Sequence, residues 1–133
     1  NSAFAGYKQV IFISDCSCMI SPSIYDDFSI FNIACTCKGT IGAMALLPIP
    51  KAHIARQIMA IHPLGNMNIF YIKYCIENFI LAIRANAKSA IPGIDRKIIL
   101  NLIIPLPPFE EQQRIVEQLD ELLPLCDSLV NNK

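Results

Sequence analysis

The chain has no excess of either charge: eleven Lys and Arg balance eleven Asp and Glu over 133 residues. A basic face is the usual footprint of nucleic-acid binding, so neutrality taken alone argues against that partner. Long hydrophobic runs are also missing. Lys73, Glu77 and Arg84 break the best candidate for a membrane-spanning helix. No basic n-region followed by an apolar run opens the chain, so its six cysteines are expected to be reduced cytosolic thiols rather than a secreted disulfide framework. A cytoplasmic location follows as an expectation. Repeats and low-complexity tracts are lacking. No glycine-rich phosphate loop is found, because Cys37–Gly42 (CKGTIG) sets Lys and Thr beside glycine without the spacing of a P-loop. His53 and His62 have no evident acidic, Ser or Cys partner in sequence, so no catalytic constellation emerges.

What is present is apolar residue: 53% of the chain is hydrophobic, enough for one domain with a core and too little length for two. Charge is segregated within the neutral total. Lys38, Lys51, Arg56, Lys73, Arg84, Lys88, Arg96 and Lys97 occupy the middle, whereas Glu110, Glu111, Glu117, Asp120 and Glu121 fall near the C-terminus. The pattern predicts short strands at Gln9 to Ile13, Ser29 to Cys37, Thr40 to Leu47 and Ala55 to Ile61, with Lys38-Gly39-Thr40 as a tight connection and His62-Pro63-Leu64-Gly65 as a turn. From Asn68 to Arg84 the period becomes helical, with Ile69, Ile72, Ile76, Phe79, Ile80 and Ile83 at threes and fours, Asn66 or Asn68 as cap, and little surface left for water. A loop at Ala85 to Gly93, a helical turn at Ile94 to Leu100 that Asp95 can cap, and a last strand at Leu102 to Leu106 follow.

The closing stretch organises the rest. Ile115, Leu119, Leu122, Cys126 and Leu129 are spaced alternately by four and three, flanked by Val116, Leu123 and Val130, so one apolar stripe runs down a helix. Pro107 and Pro108 suit its start, and Glu110 and Glu111 favour the positive end of its dipole. The spacing is that of a coiled-coil seam lasting little more than two heptads. Pro124 removes a backbone bond to Asp120 and is expected to kink or break the helix. The fold class is thus α/β of the α+β type: a small mixed or antiparallel sheet packed on a core helix, then a C-terminal amphipathic, coiled-coil-like helix.

The wording of this stretch, IPLPPFEEQQRIVEQLDELLPLCDSL from Ile104 to Leu129, resembles the conserved region of type I restriction-modification specificity (S) subunits, where a target recognition domain ends and a helical spacer begins. Cys37 to Leu46 (CKGTIGAMAL), Arg56 to Pro63 (RQIMAIHP) and Ala90 to Pro108 (AIPGIDRKIILNLIIPLPP) resemble the family's successive segments in order, covering the chain from about Asn32 onward. Pro124 departs from the family, which carries a helix former there. The resemblance implies part of a recognition domain over 1–106 and a conserved spacer or dimerisation helix over 107–133. Because the chain opens on Asn1, it is read as a piece of a longer one.

What the resemblance implies about function is a noncatalytic reader of one half of a split target in double-stranded DNA. The partners are an adenine-specific methyltransferase subunit, on which the spacer helix docks, and a restriction subunit; the stripe of Ile115, Leu119, Leu122, Cys126 and Leu129 is the partner interface, and the helix is also a candidate for pairing with a second copy. S-adenosylmethionine would sit on the methyltransferase; this chain is expected to hold no cofactor and no metal. Leu106-Pro107-Pro108-Phe109 lacks the leading amide or acid of the Asp/Asn-Pro-Pro-Tyr/Phe tetrad of adenine methyltransferases. Base reading needs forked donors and acceptors, and phosphate positioning needs Lys, Arg, Ser or Thr. The candidates are Lys38, Thr40, Arg56, Gln57, Lys88, Ser89 and Arg96.

Two other classes stay open. Neutral charge fits a helix-mediated assembly module that binds protein and never DNA. Cys16 with Cys18 and Cys35 with Cys37 form two C-x-C pairs, each able to point to one face of a strand and to offer sulfur to zinc, although zinc more often takes C-x-x-C.

Overall fold

The computed structural model describes residues 11–14, 32–47, 57–86 and 93–131. Its elements are β1 (Ile11–Ser14), β2 (Asn32–Thr36), β3 (Met44–Leu47), β4 (Ile58–Pro63), α1 (Ile69–Asn86), α2 (Arg96–Leu100) and α3 (Phe109–Asn131). The strands form one antiparallel sheet in the order β1-β4-β2-β3. Register places Ile33 opposite Ile61 and Cys35 opposite Met59, and facing pairs share a side of the pleat. All four side chains are buried, and α1 completes the core with Tyr71, Ile72, Ile76 and Ile80.

Helix α1 matches its periodicity. The Asn68 side chain accepts from the Phe70 and Tyr71 N–H groups at 3.0 and 3.2 Å, satisfying two donors of the first turn and deciding between the two candidate caps. One expectation needs correcting: the helix does show an outer face, on which Phe70 and Leu81 are exposed.

The strand limits shift for local reasons. Thr40 to Gly42 is not strand, since Gly39 and Gly42 both have positive φ and Thr36 bonds back to Ala43, which makes 37–43 a wide, self-braced turn. His62 and Pro63 are the end of β4 rather than a turn. Pro63 pairs only with Ile11 of β1, because the ladder to β2 has ended at Ile61, so its missing N–H costs the sheet nothing there. Leu102 to Leu106 is extended but not a strand. Pro105, Pro107 and Pro108 deprive the segment of ladder donors, and Ile103 is left 92% exposed.

Asp95 occupies the N-cap position of α2, yet its side chain makes no capping bond; the turn closes through the Ile98 N–H to the Asp95 carbonyl at 3.0 Å. In α3 the Pro108 carbonyl accepts from Glu111 and Gln112, as suits a proline entry. The expected break at Pro124 does not occur, and α3 continues to Asn131 as one element. The lost Asp120 carbonyl partner lies on an exposed stretch, where water can replace it.

Candidate nucleic-acid interface and helix face

One end of the sheet gathers loops. The Cys37 N–H donates to the Gln57 carbonyl at 2.8 Å, and the Ile94 N–H donates to the Cys37 carbonyl at 3.0 Å, so the 37–43 turn, the start of β4 and the approach to α2 are tied together. The turn is stiffened from inside. The Thr36 hydroxyl bonds to the Thr40 carbonyl and accepts from the Ala43 N–H at 3.0 Å. Gly42 lies against α1, where a Cβ would meet the Ile80 Cγ2 at 2.6 Å.

This braced end brings together Lys38, Thr40, Gln57 and Arg96; the first three are exposed and Arg96 is half-buried. Arg56, Lys88 and Ser89 lie outside the described residues. Two cations that were not among the candidates join the set. Lys97 follows Arg96 on α2, and Arg84 stands one helical turn beyond Ile80; both are exposed. Among the described residues these cations and Asp95 lie at or next to the tied end, so a neutral total does not exclude local clustering of positive charge. The signal for Lys97 was its adjacency to Arg96 in sequence. Lys73 is not part of the patch: it bonds Glu77 at 2.7 Å and lies over the Tyr74 ring.

The other end carries α3. Gln112 and Val116 are buried, at 3% and 6% exposure, and Ile115 and Leu119 are half-buried. Gln112 Oε1 accepts from the Asn68 N–H at 3.0 Å while its Nε2 donates to the Pro107 carbonyl at 2.8 Å. Tyr71 donates to the Pro105 carbonyl at 2.7 Å, and Tyr74 donates to the Asp120 carboxylate. That last bond, with burial and the nearby acids, pushes the Tyr74 hydroxyl up to about 12. At the entry, Arg114 pairs with Glu111 at 2.6 Å and holds its carboxyl below the usual range. Past Asp120 these contacts cease. Leu122, Leu123, Leu125, Cys126, Leu129 and Val130 are all exposed, Leu129 by 71%. The predicted interface stripe is therefore split, with Ile115 and Leu119 turned to the domain and Leu122, Cys126 and Leu129 bare.

The remaining chemistry-bearing residues are structural where they are described. His62 is in β4, and burial lowers its pKa, which keeps it neutral at pH 7. Burial pushes the Cys35 thiol up to about 11, so it stays protonated inside the core, the wrong state for a zinc ligand. Among the described residues no three His, Cys, Asp or Glu groups converge as a metal site; Cys16, Cys18 and His53 lie outside them. Within the same residues no helix is long and apolar enough to cross a membrane.

The model of the type I restriction modification DNA specificity domain matches residues 10–133. The chain belongs to that family. The specificity domain is also similar to the HsdS subunit from Thermoanaerobacter tengcongensis, whose crystal structure aligns with a TM-score of 0.60 at 25% identity. The alignment covers 77% of this chain and 24% of that subunit, so the domain spans only about a quarter of its relative. No curated protein matches it.

Proposed function

We propose that this specificity domain is the noncatalytic DNA-reading part of a type I restriction-modification complex, with recognition residues up to about 106 and a spacer helix from 107. The braced loop end faces one half of a split duplex target. Lys38, Thr40, Arg96 and Lys97 lie along phosphates, while Gln57 reads base edges. Arg56, Lys88 and Ser89 are kept as candidates on residue type alone. The bare half of α3 docks the adenine-specific methyltransferase subunit, which holds S-adenosylmethionine and performs the transfer; a restriction subunit joins the same assembly. The observation that carries this reading is the physical separation of a loop end rich in cations from an exposed apolar helix tail that no described residue covers, two surfaces that a self-contained globule has no use for.

Co-purification with the methyltransferase encoded beside it, followed by methylation of a random DNA library, tests the proposal. A split adenine motif is expected, and a complex that methylates without sequence preference would count against it. The overall neutrality of the chain favours one other reading, a helix-mediated assembly module, which predicts no salt-dependent DNA binding even with the methyltransferase present.

A further inference from the structure

We infer that the Gln112 amide is the positioning element that sets the spacer helix at a fixed angle to the recognition domain, and through that angle the gap between the two halves of the DNA target. The inference rests on the functional reading above and adds to it a residue and a geometry. Gln112 is buried, and its amide joins the mouth of α1 to the segment that leads into α3; Tyr71, also buried, adds a hydroxyl bond to Pro105 across the same joint. Its oxygen takes the Asn68 N–H at the mouth of α1, and its nitrogen holds the Pro107 carbonyl at the mouth of α3.

Packing alone does not fix this joint. A shallow cleft of about 440 Å³ opens beside Gln112, bordered by Leu64 and Met67 on one side and Leu106 and Pro108 on the other. An apolar contact with free space next to it tolerates tilting, whereas two directional hydrogen bonds made by one planar amide do not. A second brace acts farther along, where Tyr74 holds Asp120. Since Asn68 meets Gln112 and Tyr74 meets Asp120, α3 runs in the same sense as α1 over this stretch and leaves it only after Asp120.

The leverage is large. From Gln112 to Asn131 the helix extends roughly 28 Å, so a tilt of roughly 10° at the joint moves its tip about 5 Å. That exceeds the rise of one base pair, about 3.4 Å. Angular play at Gln112 therefore translates into uncertainty of a base pair or more in the spacing that the assembled complex accepts.

The test uses the full chain with its methyltransferase on a random DNA library, read as the distribution of gap lengths in the methylated motif. Gln112→Met keeps the volume and the fold while removing both bonds. Its expected effect is a drop of about tenfold in the preference for the native gap over gaps one base pair longer or shorter, the size that two lost hydrogen bonds support. Half-site sequences stay unchanged. Tyr74→Phe, at a half-buried site where the ring is kept, is expected to broaden the gap distribution less. A folded Gln112→Met protein that methylates with the same single gap would overturn the latch while leaving the family function intact. A wild-type complex without any split motif would instead sink the functional reading, and the latch with it.

Discussion

The two halves of α3 carry the same apolar period and meet opposite surroundings. Over 109–120 the stripe is set into the core by Val116 and tied down by Gln112 and Tyr74; over 121–131 the same stripe is exposed along its whole length. Periodicity thus reports that a face will be covered and is silent about what covers it. The difference comes from the neighbour: α1 and the 102–108 segment lie against the first half, and nothing described lies against the second.

Matched charge insertions sharpen that contrast most. Val116→Asp buries an unpaired carboxylate and is expected to cost several kcal/mol, enough to unfold the domain in a thermal melt. Leu129→Asp is expected to leave the melt of the isolated chain unchanged, within about 0.5 kcal/mol, and to abolish methyltransferase co-purification. Equal melts for the two variants would erase the distinction between the halves.

At the loop end, Gly42→Ala tests whether the braced turn depends on its approach to α1. The added methyl meets Ile80 at 2.6 Å in a backbone with φ of 83°, and a loss of about 2 kcal/mol is expected by urea unfolding. A neutral outcome would mean that the turn can move without cost, and a mobile turn could not present Lys38 and Thr40 in register.

Alkaline titration separates core from tail next. Cys35 ordinarily ionises near 9 but is pushed to about 11 in the fold. Its folded pKa is raised, so its contribution is fully present below pH 9 and is lost as pH climbs toward 11. Stability should fall across that window, and Cys35→Ala should flatten the fall. Cys126→Ala, at an exposed site on the tail, provides the control. The smallest effect is Tyr74→Phe, which removes a partly exposed bond to Asp120 and should cost about 0.5 kcal/mol in the melt.

Much of the fold was legible because its signals are local. The helical period read from Asn68 to Arg84 marks α1 to within two residues at either end, and Pro107-Pro108 marks the start of α3. Strand limits were less so, because register is decided by partners far along the chain. Pro63 reads as a turn residue until the ladder to β2 is known to stop at Ile61. Leu102 to Leu106 reads as a strand, yet it joins no sheet, and Pro105 within it and Pro107-Pro108 after it lack ladder donors.

The grouping of the candidate contact residues was not legible, because it depends on bonds between distant segments. Lys38, Thr40, Gln57 and Arg96 were chosen by residue type, and the bonds from Cys37 to Gln57 and Ile94 bring their backbones to one end. Gln112 was missed although a signal existed. It stands four residues before Val116 and seven before Leu119, a polar residue in register with the apolar stripe, which marks a buried hydrogen-bonding position.

The proposed division of the domain into a DNA-facing loop end and a partner-facing helix tail is tested most directly by mapping methylation with complexes that carry Lys38→Ala with Gln57→Ala, or Leu129→Asp. The first complex should assemble normally and lose or alter its methylated motif, while the second should fail to assemble and leave library DNA unmodified. A Leu129→Asp chain that still co-purifies with the methyltransferase and reproduces the wild-type map would contradict the account.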